Sequence, residues 1–304
     1  MWRIETRRKL DDNELDHVRR LLADATDHDG FPPLSDHLLV DLERRGPELA
    51  AVLAFDAVDD LAGYAQLARA NESTVVELVI APDDRARLES LASQLLTAAL
   101  EMADAENTAT DRGGTVHWWV HHPDGRVAAV AAGVGMQLGR RLLQMRRALP
   151  IERSPTVETR AFVVGRDEAE WVRVNNAAFQ GHPEQGAWTI ETLQQREAEP
   201  WFDPSGFRLH EREGQLAAFC WTKVHSNTTP ALGEIYVIAV DPAYRGQGLG
   251  KALTIAGLDH LAGRGLTVGM LHVDAANTAA VNLYDGLGFS IHHEDHAYTR
   301  SPHR

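Results

Sequence analysis

Apolar and polar positions alternate with two different periods along the chain. In residues 11–24 (DDNELDHVRRLLAD) and 35–45 the apolar side chains recur three and four apart, which predicts two amphipathic helices. Residues 49–56 and 61–68 are shorter apolar runs on either side of Asp59-Asp60, which predicts two strands around a turn. A strand follows over 74–82 (TVVELVIAP), then a long helix over 85–104 and a strand over 115–121 (TVHWWVH). Helices, then strands, then a strand-helix-strand unit predict an α/β chain with a mixed sheet.

The second half runs through the same order. A helix is predicted over 167–179, strands over 206–212, 215–223 and 234–241, a helix over 248–262, a strand over 267–273 and a short helix over 278–286. Two landmarks align the halves: VVELVIAP ends at Pro82 as IYVIAVDP ends at Pro242, and Gly133-Val134-Gly135-Met136 matches Gly286-Leu287-Gly288-Phe289. A repeat of this size predicts a duplicated domain. Proline interrupts both periodicities at PIERSP, so the expected domains are 1–150 and 151–304.

Composition narrows the function classes. In 304 residues, 44 acidic against 30 basic side chains give a formal charge of -14, which repels nucleic-acid phosphates and anionic membrane surfaces. The single cysteine, Cys220, rules out an internal disulfide and a thiolate zinc cluster. The N-terminus is charged and no apolar run approaches a membrane span, so the expectation is a cytoplasmic protein with no nucleic-acid or membrane partner. A monomer is expected as well.

The segment that carries chemistry is EIYVIAVDPAYRGQGLGKALT, 234–254. A buried strand runs into Arg245-Gly246-Gln247-Gly248-Leu249-Gly250 and then directly into a helix. Glycines permit a tight path with N–H groups turned inward, and the helix N-terminus adds partial positive charge, so the segment suits a pyrophosphate. It lacks the spacing of a Walker A loop, and its G-x-G-x-G is one residue short of the dinucleotide fingerprint. Downstream stands NTAAVNLYDGLGF, 277–289. Against this stands the plainer reading, a glycine-rich turn followed by a core helix.

R-x-x-G-x-G after a strand, followed by N-x-x-A-x-x-L-Y-x-x-L-G-F, resembles the acyl-coenzyme A site of the GNAT acyltransferase superfamily. The resemblance implies two tandem GNAT-like domains, with acetyl-coenzyme A as co-substrate and no metal. Coenzyme A is then expected along Ile238, Ala239 and Val240, with its pyrophosphate on Arg245, Gly246, Gln247, Gly248, Leu249, Gly250 and Lys251, and with Asn277 nearby. An amine must attack the thioester neutral, so a carboxylate is needed, and Glu234 at the head of the strand is the candidate base. The leaving thiolate needs an acid, for which Tyr284 is one candidate. Glu234 as a solvated strand-end acid and Tyr284 as a helix anchor are the bland alternatives.

Carried across the repeat, Thr74 stands at Glu234, Arg85 at Arg245, Leu88 and Ser90 at Gly248 and Gly250, and Ala131 at Tyr284. Side chains at the glycine positions crowd an approaching phosphate, so the N-terminal domain is expected to be degenerate. Two roles stay open for it: holding coenzyme A weakly against Leu78, Val79 and Ile80, or shaping the substrate cleft.

Together with VNNAAFQGHPEQGAWT (174–189), WFDPSGF (201–207) and FCWTKVH (219–225), the tandem arrangement is similar to the mycothiol synthase family across nearly the whole chain. That resemblance implies acetylation of the cysteinyl amine of cysteinyl-glucosaminyl-inositol. It assigns Asp36, where a glutamate is expected, and Glu184, Lys223, Glu234 and Tyr284 to substrate contact, and it adds Tyr298 on the last strand as a second candidate acid. A tandem acetyltransferase for another amine, such as a protein N-terminus or an aminoglycoside, and a non-catalytic acyl-coenzyme A sensor are the alternatives. His292, His293, Glu294, Asp295 and His296 are metal-ligand types, but successive strand residues face opposite sides, so no metal is expected from them.

Overall fold

The computed structural model describes residues 2–44, 49–70, 73–110, 114–180, 185–226 and 228–301. In chain order the first elements are β1 (Arg3–Arg7), α1 (Asp12–Asp29), α2 (Asp36–Arg44), β2 (Ala50–Phe55), β3 (Leu61–Ala70), β4 (Ser73–Ile80), α3 (Leu88–Thr110), β5 (Thr115–His121), α4 (Val127–Gly133) and β6 (Gln137–Ala148). Then come β7 (Arg160–Ala161), α5 (Glu168–Ala178), α6 (Ile190–Glu197), β8 (Phe207–Arg212), β9 (Gln215–His225), β10 (Leu232–Val240), α7 (Leu249–Gly263), β11 (Val268–Asp274), α8 (Thr278–Asp285) and β12 (Ser290–Arg300). Every element expected from periodicity is present within a few residues. The expected 85–104 helix is entered through a 3₁₀ turn at Pro82–Arg87, as α7 is entered after one at Pro242–Tyr244.

The chain divides into two compact units, 1–142 with 294–304, and 143–293. This differs from the expected division at 150/151. β12 pairs antiparallel with β5 from Asp295↔His121 to Arg300↔Val116, so the end of the chain completes the first unit. Residues 143–148 of β6 complete the second, beside β11.

Within the first unit the strand order is β1-β2-β3-β4-β5-β12, antiparallel except for the parallel pair β4–β5. Its sheet is covered on both faces, which is why its strands read as unbroken apolar runs. On β2, Ala51, Leu53 and Phe55 join the core with α1 and α2, while Ala50, Val52 and Ala54 join the core with α3. The second unit has the order β7-β8-β9-β10-β11-β6, with β10–β11 the parallel pair. α7 and α8 cover one face of this sheet, over a core that includes Cys220, Ile235 and Leu271. α5 and α6 cover the other, over Trp171, Phe207, Phe219, Trp221 and Val237.

The repeat is visible bond by bond. Gly135 and Gly288 both adopt left-handed backbone, with φ of 75° and 82°. Met136 N–H donates to the Ala131 carbonyl at 2.8 Å, and Phe289 N–H donates to the Tyr284 carbonyl at 3.1 Å. Each turn drives its last residue into its own core.

Candidate active site

In the second unit β10 pairs with β11 only from Leu232↔Val268 to Ile235↔Leu271, although the strands run on to Val240 and Asp274. On its other side β10 stays paired with β9 as far as Val240↔Ala218. The edge of β10 from Val237 to Val240, which includes the expected Ile238, Ala239 and Val240, therefore leaves the β11 ladder, and its backbone groups on that side are open to another partner.

The chain then enters the glycine loop. Gly246 and Gly248 both have φ of 77°, and a Cβ built on either meets nothing within 4 Å. Left-handed backbone and open space are the two conditions for a loop whose N–H groups face a phosphate. Gly248 is the N-cap of α7, and no side chain caps the helix, so its first amides remain available. Gly250 differs: its φ is ordinary and a Cβ there meets Leu283 at 3.7 Å, a normal contact. Arg245 is exposed and donates to the Ala178 carbonyl at 3.1 Å. Gln247 accepts from Arg212. Leu249 is buried in the core, which leaves its backbone for the loop, while Lys251 is exposed in the first turn of α7. Asn277 caps α8, its Oδ1 accepting from Ala280 N–H at 3.2 Å.

Glu234 is 7% exposed and accepts two charge-assisted bonds. His225 Nε2 lies 2.8 Å from Oε2 and His272 Nδ1 lies 3.1 Å from Oε1. Burial works against the charged form, but the two imidazole donors outweigh it and hold the carboxyl far below the usual range. Lys223 is the direct cross-strand partner of Glu234, so sequence and structure bring these two expected residues together. Its ammonium lies 4.8 Å from the Trp201 ring centroid and 5.7 Å from that of Tyr236.

A β-bulge sets which way Glu234 points. The β9–β10 register slips at Tyr236, with Thr222↔Ile235 followed by Trp221↔Val237. β4 has no such slip against β3, where Gln66↔Glu77, Leu67↔Val76 and Ala68↔Val75 run on regularly. Matching the ladders, Glu234 corresponds to Val75, one residue from the Thr74 that an ungapped alignment selects. The extra residue turns Glu234 to the α5/α6 face, whereas Ile235 packs into the α7 core. By the same matching Lys223 corresponds to Ala68 and His272 to Trp119, so the charged group belongs to one unit alone.

Tyr284 is 8% exposed, packs edge-on to Phe289 at 5.8 Å, and belongs to the α7/α8 core. Burial, with Cys220 nearby, pushes its hydroxyl up to about 12. Tyr298 lies in the first unit, tilted against its register partner Trp118 at 5.4 Å, and burial raises its hydroxyl too. Asp36 opens α2 and is exposed. Glu184 lies outside the described residues. The loop that follows it is tied to α5, where Asn175 donates to the Gln185 carbonyl and Asn176 to the Trp188 carbonyl, both at 2.8 Å. WFDPSGF and FCWTKVH dock on each other: Thr222 Oγ1 donates to the Gly206 carbonyl at 2.9 Å, and a Cβ on Gly206 would lie 2.3 Å from that oxygen.

The first unit replaces the loop chemistry with structure. Arg85 is held by Asp29 at 2.6 and 2.5 Å, and α3 starts at Leu88 with no left-handed residue before it. Leu78 packs beside the α3 core, as does Ile80, while Val79 faces the α1/α2 core. Periodicity missed a buried group there. Glu77 accepts from Ser35 N–H at 2.7 Å, and His121 lies 3.5 Å from Glu77 and 3.2 Å from Asp295. Glu294 is engaged by Arg141 at 2.9 and 2.7 Å, and among the described residues no three histidine, cysteine or acidic side chains are grouped to hold a metal. The sequence reading also missed His225 and His272. The signal was present, since His225 shares a strand face with Lys223 across from Glu234.

A model of the acetyltransferase (GNAT) family matches residues 171–289. The mycothiol acetyltransferase of Thermobispora bispora is 45% identical, covering 98% of this chain and 99% of its own. That of Thermomonospora curvata is 43% identical over 96% of each chain. Among solved structures, a GCN5-related N-acetyltransferase from Sphaerobacter thermophilus gives a TM-score of 0.74 at 21% identity, covering 98% of this chain and 95% of that one. A tandem GNAT protein from the clavulanic acid biosynthesis pathway gives 0.71 at 18% identity over 99% of each. These two show a shared fold.

Proposed function

Since the chain belongs to the mycothiol acetyltransferase family, within the GNAT acyltransferases, we propose that it transfers the acetyl group of acetyl-coenzyme A to the cysteinyl amine of cysteinyl-glucosaminyl-inositol, forming mycothiol. The observation that carries this reading is the 45% identity sustained over 98% of this chain and 99% of the relative. The geometry of the second unit supports it. Gly246, Gly248 and the start of α7, which no side chain caps among the described residues, offer amides to a pyrophosphate, and Arg245, in no ion pair among the described residues, adds charge. The free edge of β10 offers N–H donors to a pantetheine amide and to the thioester carbonyl.

The proton balance then falls to side chains. The substrate ammonium must lose one proton before nitrogen can attack, and the group around Glu234 receives it. Attack forms the C–N bond and breaks the C–S bond. The second amine proton is balanced by protonation of the thiolate, for which Tyr284 or Tyr298 supplies a hydroxyl. Asp36, Glu184, Lys223 and Tyr284 are the proposed substrate contacts, and the hydroxyl-rich sugar and inositol suit such polar and charged groups. Cytoplasmic location and a monomeric state belong to the same proposal. Among the described residues no helix is long and apolar enough to cross a membrane.

The test is release of free coenzyme A thiol with cysteinyl-glucosaminyl-inositol and with a panel comprising an aminoglycoside, a peptide N-terminus and free cysteine. The expected result is a kcat/KM for the cysteinyl substrate at least about 10²-fold above every other amine, the discrimination expected of a site that hydrogen-bonds its substrate. A preference for another amine moves the substrate, and binding of acetyl-coenzyme A without transfer to any amine makes the protein a sensor.

A further inference from the structure

The Glu234 group is asymmetric in a way that assigns its parts. Arg146 Nε donates to Gln144 Oε1 at 2.6 Å, and because a guanidinium only donates, this bond fixes which end of the Gln144 amide faces it. The Gln144 amide nitrogen is thereby turned to His272 Nε2, at 3.2 Å. That ring nitrogen must accept, so His272 carries its proton on Nδ1 and gives it to Glu234. Both nitrogens of His272 are thus committed, and a second proton on the ring would break the Gln144 bond.

His225 is arranged differently. Its Nε2–H donates to the other oxygen of Glu234, and among the described residues its Nδ1 has no hydrogen-bond partner. The side chain is 17% exposed at the end of β9, on the strand face that carries Lys223. Among the described residues, the charged and titratable groups joined to it or on its strand face are Glu234 on β10, His272 on β11 beyond that carboxylate, and Lys223 on its own strand.

We propose that His225 is the catalytic base of the acetyl transfer, its Nδ1 taking the proton from the substrate ammonium directly or through one water, and that Glu234 is a positioning residue that holds the ring in the required tautomer. The inference rests on the acetyl transfer proposed above. The step balances: the N–H electron pair stays on the amine nitrogen, the proton passes to Nδ1, the imidazolium is stabilised by Glu234, and the same proton leaves to water. A carboxylate held far below its usual range is a weak base, whereas a neutral imidazole whose other nitrogen is held by a carboxylate presents an oriented lone pair to a proton donor. The repeat agrees, since the ladder position matching His225 in the first unit is Ala70.

The experiment is the pH dependence of kcat/KM and of the single-turnover rate for the full chain, its H225Q, H272Q and E234Q variants, and H225G with added imidazole. Expected for H225Q is a loss of about 10²–10⁴-fold at neutral pH with acetyl-coenzyme A affinity near wild type, and loss of an acidic limb that H272Q retains. Imidazole should restore part of the H225G rate, a rescue that does not depend on H225Q folding. An H225Q enzyme with the wild-type rate and limb, or H225G that imidazole leaves unrescued while E234Q abolishes the limb, overturns the assignment and returns the base to the carboxylate. If the wild-type protein prefers another amine, the substrate reading fails, and the same comparison on that amine still decides the role of His225.

Discussion

At the scale of single residues, the two units use the same ingredients, histidine between carboxylates, to opposite ends. Glu234 is one carboxylate between two imidazoles, with one ring nitrogen left over; His121 is one imidazole between two buried carboxylates, Glu77 and Asp295. Burial works against a charged His121 ring, but pairing with Asp295 and Glu77 prevails and pushes it up to about 10 from an ordinary 6.5. A histidine raised on folding stabilises the native state fully below its unfolded pKa, and that contribution fades as pH climbs through the folded value. The first unit should therefore lose stability between about pH 6.5 and 10, as the ring proton is given up. An NMR titration of the His121 ring should show a midpoint near 10; a midpoint near 6.5 would mean that the ring is not held by its two acids.

At the scale of elements, a single extra residue and two left-handed glycines separate the two halves of the repeat. Both parallel strand pairs open after four ladder positions, and both lead through a proline-started 3₁₀ turn into a long helix. Only β10 carries the bulge that turns an acid to the α5/α6 face, and only α7 starts from a glycine with φ of 77°. Gly248→Ala should weaken acetyl-coenzyme A binding by about tenfold or more, because alanine resists that φ and its methyl enters the space open to a phosphate. Gly250→Ala should be milder, since its φ is ordinary and its Cβ has room. Ser90→Ala, at the matching place in α3, should leave affinity and rate near wild type. Equal losses at Gly248 and Ser90, measured by calorimetry and steady-state rates, would show that the first unit also serves the reaction.

At the scale of the whole molecule, each unit is closed by a strand from across the sequence boundary, and this places the two candidate acids in different units. Tyr284 shares its unit with the glycine loop and Glu234, while Tyr298 is fixed in the first unit against Trp118. A hydroxyl pushed up to about 12 stays protonated at working pH, which keeps it a hydrogen-bond donor to a departing thiolate although it is a weaker acid than a free phenol. Tyr284→Phe is therefore expected to slow single-turnover acetylation by about 10²-fold or more, with acetyl-coenzyme A affinity kept and the basic limb of the profile lost. Tyr298→Phe should keep that limb. The reverse pattern transfers the role to Tyr298, and two unaffected variants mean that water protonates the thiolate.

Much of this was legible in the order of residues. Strands and helices showed through period and punctuation, because each buries one face or stripe against a sheet covered on both sides. The duplication showed in Pro82 and Pro242 and in the paired Gly-x-Gly turns, and the tight glycine loop in Arg245 to Gly250, since such a backbone path admits few residue types. Three features were decided only by folding. The bulge at Tyr236 moves Glu234 by one register position and so to the opposite face, which an ungapped alignment with Thr74 cannot register. β12 closes the first unit because pairing with β5 is a long-range choice that local pattern does not encode. The hydrogen bonds from His225 and His272 to Glu234 join residues 9 and 38 positions distant, so their chemistry exists only once β9, β10 and β11 lie side by side.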